Sequence, residues 1–242
     1  EPALKLIIQR MPATLELALF SLFISLIIAI PLGIYAGYKP ESKTSKIIMG
    51  GSILGFSMPT FWVGIIFIMI FAVHLGWLPS TGRGEIGTFL GINSSLFTLN
   101  GLSPVFVPAL NLALFKISSV IRLTRAGTRE IILQDYITFA RSKGLSEKRI
   151  VMVHILKNIL IPIVTVIGLE FGSLIAFSTV TETVFAWPGM GKLIIDSIYN
   201  LDRPVIVAYL MIIVTFFVFL NLIVDVLYTF LDPRVRIKGD SQ

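Results

Sequence analysis

One carboxylate inside a long apolar stretch is the residue whose type and position most clearly suggest chemistry. Glu170 lies roughly in the middle of the apolar run 159–180. Ionisable groups at membrane depth are costly and usually face a cavity, a substrate or a partner group. Glu170 is therefore a candidate for contact with a transported solute. The alternative is that it pairs with another group, on this chain or on a partner, or is protonated.

Residues for enzyme chemistry are scarce in this sequence. The chain has no cysteine and only two histidines, His74 and His154, which excludes cysteine nucleophiles, zinc–cysteine sites and a histidine-rich metal site. The single Gly191-Lys192 pair is followed by leucine and lacks the upstream glycine of a phosphate-binding loop. The sequence therefore predicts no catalytic centre, metal site or cofactor in this chain.

The composition indicates that these residues are positioned by membrane helices. Of 242 residues, 55% are hydrophobic and 14% charged, against about 25% charged in a soluble domain, and the mean hydropathy is +0.88. A spanning helix needs about 20 mostly apolar residues. Five stretches are close to that length: 13–35, 47–73, 105–121, 159–180 and 205–230. They predict an all-α fold, a polytopic helical bundle that forms one transmembrane domain over 1–242.

Basic residues predict the orientation of these spans. Most of the 20 lysines and arginines lie between the first and second spans, in the loop 122–158, or after the fifth span. Because cytoplasmic loops collect Lys and Arg, we expect residue 1 outside and residue 242 in the cytoplasm of a multi-pass protein of the cell membrane. The net charge of +6 is then a signal of topology, and nucleic acid is not an expected partner.

Polar residues within the spans are candidates for a transport pathway. Pro59 should break or kink the second span, and Ser57 and Thr60 beside it are then candidates to line a pore. Asn111 is a candidate both for the pathway and for a hydrogen bond between helices. Lys116 is expected to snorkel to the cytoplasmic edge.

Two further carboxylates, Glu16 and Glu182, are expected near the outer face, within reach of water. The loop 187–204 carries alternating charges and apolar residues at helical spacing. It is predicted to form an amphipathic helix that contacts either another protein or the membrane surface. Gly33 and Gly37 have the spacing for close helix packing within the subunit.

The loop 122–158 is longer than a turn between two spans requires, and its pattern predicts two short helices. Gly144 can end the first in a left-handed conformation, and Ser146 can cap the second. An apolar stripe needs a covering surface, which is either this chain and the lipid headgroups or another protein. The stripe comprises Ile132, Tyr136, Phe139, Ala140 and Lys143.

This loop resembles the Glu-Ala-Ala loop of binding-protein-dependent ABC importer permeases, in the version of the dipeptide, oligopeptide and nickel branch. Thr138-Phe139-Ala140 stands where Glu-Ala-Ala would, a departure that this branch tolerates. The residues that carry the resemblance are Asp135, Tyr136, Phe139, Ala140, Lys143, Gly144, Leu145, Ser146, His154, Asn158 and Pro162.

Matches outside the loop extend the resemblance over nearly the whole chain. Each is weak alone, but they occur in the expected order. They are Pro12 to Leu17, Pro59 to Gly64, Gly76 to Pro79, Glu182 to Gly191, and Leu231-Asp232-Pro233-Arg234-Val235.

The resemblance implies a type I importer permease in which the five spans are family helices two to six, with a further family span expected before Glu1. It implies that Asp135 to Ser146 is a coupling helix on cytoplasmic ABC ATPase subunits, which bind ATP-Mg. The other implied partners are a second related permease and an extracytoplasmic binding protein. The implied transported solutes are peptides, nickel or glutathione-like compounds.

The alternative function comes from a different class of protein. It is a secondary transporter or channel in which Glu170 is the ion- or proton-coupling group.

Overall fold

The computed structural model describes residues 2–89 and 92–231, and these residues are almost entirely helical. The terminal motif from Asp232 onward and the basic residues after the fifth span lie outside the described residues. The helices are α1 (Ala3–Tyr38), α2 (Lys43–Ser57), α3 (Thr60–Phe67), α4 (Leu99–Ile132), α5 (Asp135–Ser142), α6 (Glu147–Arg149), α7 (Leu156–Val184), α8 (Met190–Tyr199) and α9 (Arg203–Leu231).

Irregular helical turns and a small hairpin complete the described structure. Ile68–His74 continues α3 as a π-helix, and the π-helix Ile150–Ile155 joins α6 to α7. Strands β1 (Gly87–Phe89) and β2 (Ile92–Ser94) pair antiparallel, with Gly87 opposite Ser94. The sequence predicts no strand here, because three-residue strands are too short to show an alternating pattern.

Four helices are long and apolar enough to cross a membrane, and the count is five if α2 and the helix 60–74 form one broken span. These two helices are bent by 105° at the break. The break falls at Pro59, which has no N–H to donate and disfavours the helical conformation of the residue before it. The predicted interruption of the second span at Pro59 is therefore confirmed.

The loop 122–158 contains less separate structure than predicted. Helix α4 continues through Arg122 to Ile132, so the first part of the predicted loop is an extension of the third span. The second predicted loop helix is also continuous with the following span, through α6 and the π-helix. Only α5 is a separate short helix in this region, because Gly144 ends it before α6 begins.

The chain divides into two compact units. The first contains Glu1–Ser25, Ser57–Lys116 and Phe171–Val218. A cluster of Ile7, Met190, Ile194 and Tyr209 forms part of its core. The buried Trp187 donates its indole N–H to the carbonyl oxygen of Ala13 at 2.9 Å, which attaches the segment before α8 to α1.

The second unit contains Leu26–Phe56, Ile117–Glu170 and Phe219–Gln242. Within it, Gly33 and Gly37 of α1 lie against Thr124 and Thr128 of α4. A Cβ atom at Gly33 would come within 2.5 Å of the Thr124 Cβ, so only glycine permits this approach. The prediction that these glycines pack helices within the subunit is confirmed.

Candidate functional site

Helix α5 ends at a glycine turn that separates it from α6. Gly144 has a φ of +76°, which an L-residue with a side chain adopts only at a cost. The Leu145 N–H donates to the Ala140 carbonyl at 3.2 Å, and the Gly144 N–H donates to the Arg141 carbonyl at 2.9 Å. These bonds satisfy the last carbonyls of the helix in a Schellman arrangement. The predicted left-handed terminator is confirmed.

One face of α5 is buried in the second unit and the other is exposed. Ile137 and Ala140 are buried, whereas Tyr136 and Phe139 are 43% and 59% exposed. The Lys143 ammonium lies 4.5 Å from the centre of the Phe139 ring, so it shields one side of that ring. The predicted stripe was wrong in placing Ala140 with Phe139, because Ala140 joins Ile137 on the buried face. Among the described residues, Tyr136 and Phe139 therefore form a partly exposed aromatic face of α5.

An ion pair fixes the turn between α5 and α6. Arg141 Nε lies 3.0 Å from Glu147 Oε1, and the Tyr38 hydroxyl donates to the same carboxylate. The hydrogen bond with Glu147 raises the pKa of the Arg141 guanidinium above its ordinary value. Ser146 occupies the predicted N-cap position of α6, although its side chain makes no capping bond there. These contacts connect α5 to the end of α1.

A polar cleft of about 570 Å³ lies beside α5. Asn158 Nδ2 donates to the Tyr136 hydroxyl at 3.2 Å and to the His154 carbonyl at 2.6 Å, and the Tyr136 and His154 rings lie 6.3 Å apart. The structure thus brings together four residues of the predicted loop site, which are Tyr136, His154, Asn158 and Pro162. The cleft is lined by Gly127, Glu130, Ile131, Gln134, Tyr136, Asn158, Ile159 and Pro162.

The candidate pathway residues fall in different environments. Ser57 and Pro59 are exposed, and Thr60 is half-buried at the start of α3. Glu170 is also half-buried, and the Ser119 hydroxyl donates to its Oε1 at 3.5 Å.

Asn111 and Lys116 of α4 are both buried against α7. Asn111 Nδ2 donates to Thr181 Oγ1 at 3.2 Å, which is a hydrogen bond between helices. Lys116 is only 5% exposed, and its ammonium donates to Ser173 Oγ at 2.8 Å. The expectation that Lys116 snorkels to the membrane edge is wrong, because its ammonium is held by a hydroxyl on the neighbouring helix.

Glu16 and Glu182 are buried rather than exposed to water, which corrects a second expectation. Glu16 forms an ion pair with Arg83 and accepts the Ser95 N–H at 3.1 Å, so it holds the segment around the hairpin. Glu182 accepts the Thr14 hydroxyl at 2.7 Å and the Lys192 N–H at 3.0 Å. Their burial follows from partners distant in sequence, which composition could not reveal.

Most of the chain matches a known family of transport proteins. Residues 29–237 match the family described as binding-protein-dependent transport system inner membrane component. A di/tripeptide transport system permease protein DppB of Pseudomonas aeruginosa is 38% identical over 93% of this chain and 70% of its own length. An oligopeptide permease protein AppB of Bacillus subtilis is 39% identical over 97% of this chain and 72% of its own.

Solved structures of transporters share the fold. A chain from inward-facing conformations of the MetNI methionine ABC transporter has a TM-score of 0.74 at 18% identity, covering 96% of this chain and 99% of its own. A chain of an amino acid ABC transporter crystallised with histidines has a TM-score of 0.60 at 14% identity, covering 93% and 94%. The fold is therefore that of type I importer permeases, and the comparisons do not favour a secondary transporter or channel.

Proposed function

Because this chain belongs to the family of binding-protein-dependent transport system inner membrane components, we propose that it forms part of the membrane pathway of an ATP-driven importer of di- and oligopeptides. Relatives at 38% and 39% identity are named as permeases for di- and tripeptides or for oligopeptides, which supports peptides over nickel or glutathione-like solutes. The observation that carries the proposal is the exposed aromatic face of α5.

A helix that is packed on one face and has a partly exposed aromatic face on the other is suited to docking on another protein. Ile137 and Ala140 hold α5 in the second unit, and the Arg141–Glu147 ion pair fixes its end. Tyr136 and Phe139 stay partly exposed, and aromatic residues are enriched at the energetic centres of protein interfaces. We assign this face as the contact with a cytoplasmic ATPase subunit, where it acts as the coupling helix.

The proposed complex divides the work among its subunits. Two ATPase subunits bind ATP-Mg and hydrolyse it, an extracytoplasmic binding protein delivers the peptide, and a second related permease completes the pathway. This chain supplies one half of the gated path and performs no hydrolysis itself. Residue 1 lies outside in this arrangement and residue 242 in the cytoplasm. Closure of the ATPase dimer moves α5 and so tilts the attached helices, which exchanges inward for outward access.

Within this chain, the polar residues beside Pro59, at the start of α3, are proposed to line the path. Because the helix is interrupted at Pro59, no helical turn continues α2 beyond Ser57. Polar backbone groups at such an interruption can face water in a pathway. Thr60 adds a hydroxyl beside Pro59, and Asn111 of α4 donates a hydrogen bond to Thr181 of α7. Glu170 is assigned to the pathway on its membrane depth and incomplete burial.

Transport by the reconstituted complex tests this function. The full-length chain would be purified with its ATPase and partner permease, placed in proteoliposomes, and supplied with binding protein and a labelled dipeptide outside. We expect peptide accumulation only with ATP inside and with binding protein present. Accumulation of labelled nickel in place of peptide would overturn the substrate class. Accumulation that follows a proton gradient without ATP, and that fails in Glu170→Gln, would overturn the importer itself.

A further inference from the structure

Helix α8 begins at a residue that has no side chain to cap it. The first N–H groups of any helix have no partner within the helix, and a side chain at the N-cap position usually accepts from one of them. In α8 the N-cap residue is Gly189, which has no side chain. The N–H of Lys192, three residues later, instead donates to Glu182 Oε2 at 3.0 Å. A residue of α7 therefore supplies the cap of α8.

Thr14 of α1 joins the same arrangement. Its hydroxyl donates to Glu182 Oε1 at 2.7 Å and accepts the Met190 N–H at 2.8 Å. One hydroxyl thus links the carboxylate of α7 to the first residue of α8. Thr14, Glu182 and Met190 all belong to the first unit, and all three are buried. We call Thr14, Glu182 and the turn 189–191 the α8 clamp.

The glycines of the clamp leave room for the carboxylate. A Cβ atom at Gly189 would overlap the Glu182 carboxylate. A Cβ atom at Gly191 would lie 2.9 Å from Glu182 Oε2 and 2.5 Å from the Thr179 Cα. Side chains at either position would therefore displace Glu182 or the turn. The two glycines are needed for the carboxylate to reach the backbone of α8.

The donors to Glu182 suit an anion. The described residues supply hydroxyl and backbone N–H groups, with the Ser178 hydroxyl 3.0 Å from Oε1, and no ion pair to it. The N-terminus of a helix attracts negative charge through its dipole and its free N–H groups. An amide in place of the carboxylate would keep the volume but turn an NH₂ group towards one set of donors. The amide oxygen could accept from only one of these two sets, so Glu182→Gln would weaken either the cap of α8 or the bond from Thr14.

We infer that Glu182 is a positioning residue for transport, which caps α8 from α7 and ties it to α1 through Thr14. The inference rests on the proposed function, in which these residues lie on the outer side. The signal that a loaded binding protein has docked must enter through outer elements. The α8 clamp transmits it to α1 and α7, because the three helices share one buried carboxylate.

The test uses the assembled complex in lipid nanodiscs with Glu182→Gln and Thr14→Val. Glu16→Gln is the matched control, since Glu16 is also a buried carboxylate of the first unit but holds the hairpin segment instead of α8. Because the chain has no cysteine, Tyr199→Cys gives a single spin-label site on α8. Basal ATPase rate, the binding-protein concentration for half-maximal stimulation, and label mobility are measured for each variant.

We expect both clamp variants to keep basal ATPase activity and to show a more mobile label on α8. Half-maximal stimulation should need at least about tenfold more binding protein, because each variant leaves a buried polar group of the clamp without a hydrogen bond. Glu16→Gln should leave the label unchanged. Unaltered stimulation and mobility in Glu182→Gln and Thr14→Val would overturn the inference, and so would equal label mobility in all three variants. If no ATPase associates even with the unmodified chain, the proposed function fails, while label mobility still decides whether Glu182 holds α8.

Discussion

Phe139→Ala should weaken attachment of the ATPase while leaving the membrane chain folded. A phenylalanine side chain offers about 200 Å² of surface, and Phe139 is 59% exposed, so about 120 Å² is open to a partner. At about 25 cal/mol per Å², complete coverage is worth about 3 kcal/mol. Ordering the side chain costs about 1 kcal/mol. The net loss of about 2 kcal/mol corresponds to roughly 30-fold weaker binding.

Binding of the purified ATPase to the chain in nanodiscs measures this effect directly, and a thermal melt of the same sample measures folding. Ile137→Ala is the matched control, because Ile137 lies on the opposite, fully buried face of α5. Removing that side chain should cost about 2–5 kcal/mol of folding stability. ATPase affinity that is unchanged in Phe139→Ala, with the melt also unchanged, would refute the assignment of this face to the ATPase.

Three further substitutions test the local structure by thermal unfolding in detergent. Gly144→Ala should lower the free energy of unfolding by about 1–2 kcal/mol. The cause is the positive φ of this residue alone, since nothing lies within 4 Å of an added Cβ. An unchanged melt would contradict the left-handed turn. Gly33→Ala should cost about 1–3 kcal/mol because its Cβ would meet Thr124, and an unaltered melt would show that the helices can separate there. Arg83→Met should lower the free energy of unfolding by about 3–5 kcal/mol, because it leaves the Glu16 carboxylate buried without its cation. It should also speed protease cleavage of the segment 75–98. Equal cleavage of this segment in both proteins would argue against the ion pair.

Local sequence signals predicted the features that depend on backbone chemistry. Pro59 marked the break in the second span, and Gly144 marked the end of α5, because each acts on its own backbone or its immediate neighbour. The spacing of Gly33 and Gly37 likewise predicted a close helix contact. The motif of the loop 122–158, taken together with the five matches outside it, predicted the family that the comparisons then showed.

Features that depend on distant partners were not predicted. Glu182 was taken as accessible because nothing near it in sequence shows Thr14, which lies 168 positions away. Lys116 was expected to reach the membrane edge because the Ser173 hydroxyl belongs to another helix. The buried face of α5 was misassigned since Ile137 is one residue from the exposed Tyr136, and a helix of eight residues offers too few turns to define its faces by periodicity.

Photo-cross-linking from α5 tests the central claim most directly. Phe139→Cys gives the chain a single cysteine, which would carry a benzophenone group in the assembled complex. Val218→Cys on α9 is the control, since Val218 is also exposed but lies in a span. The account predicts a covalent product of permease and ATPase from position 139 and none from position 218. Cross-linking from 139 only to lipid, or equal ATPase cross-linking from both positions, would contradict it.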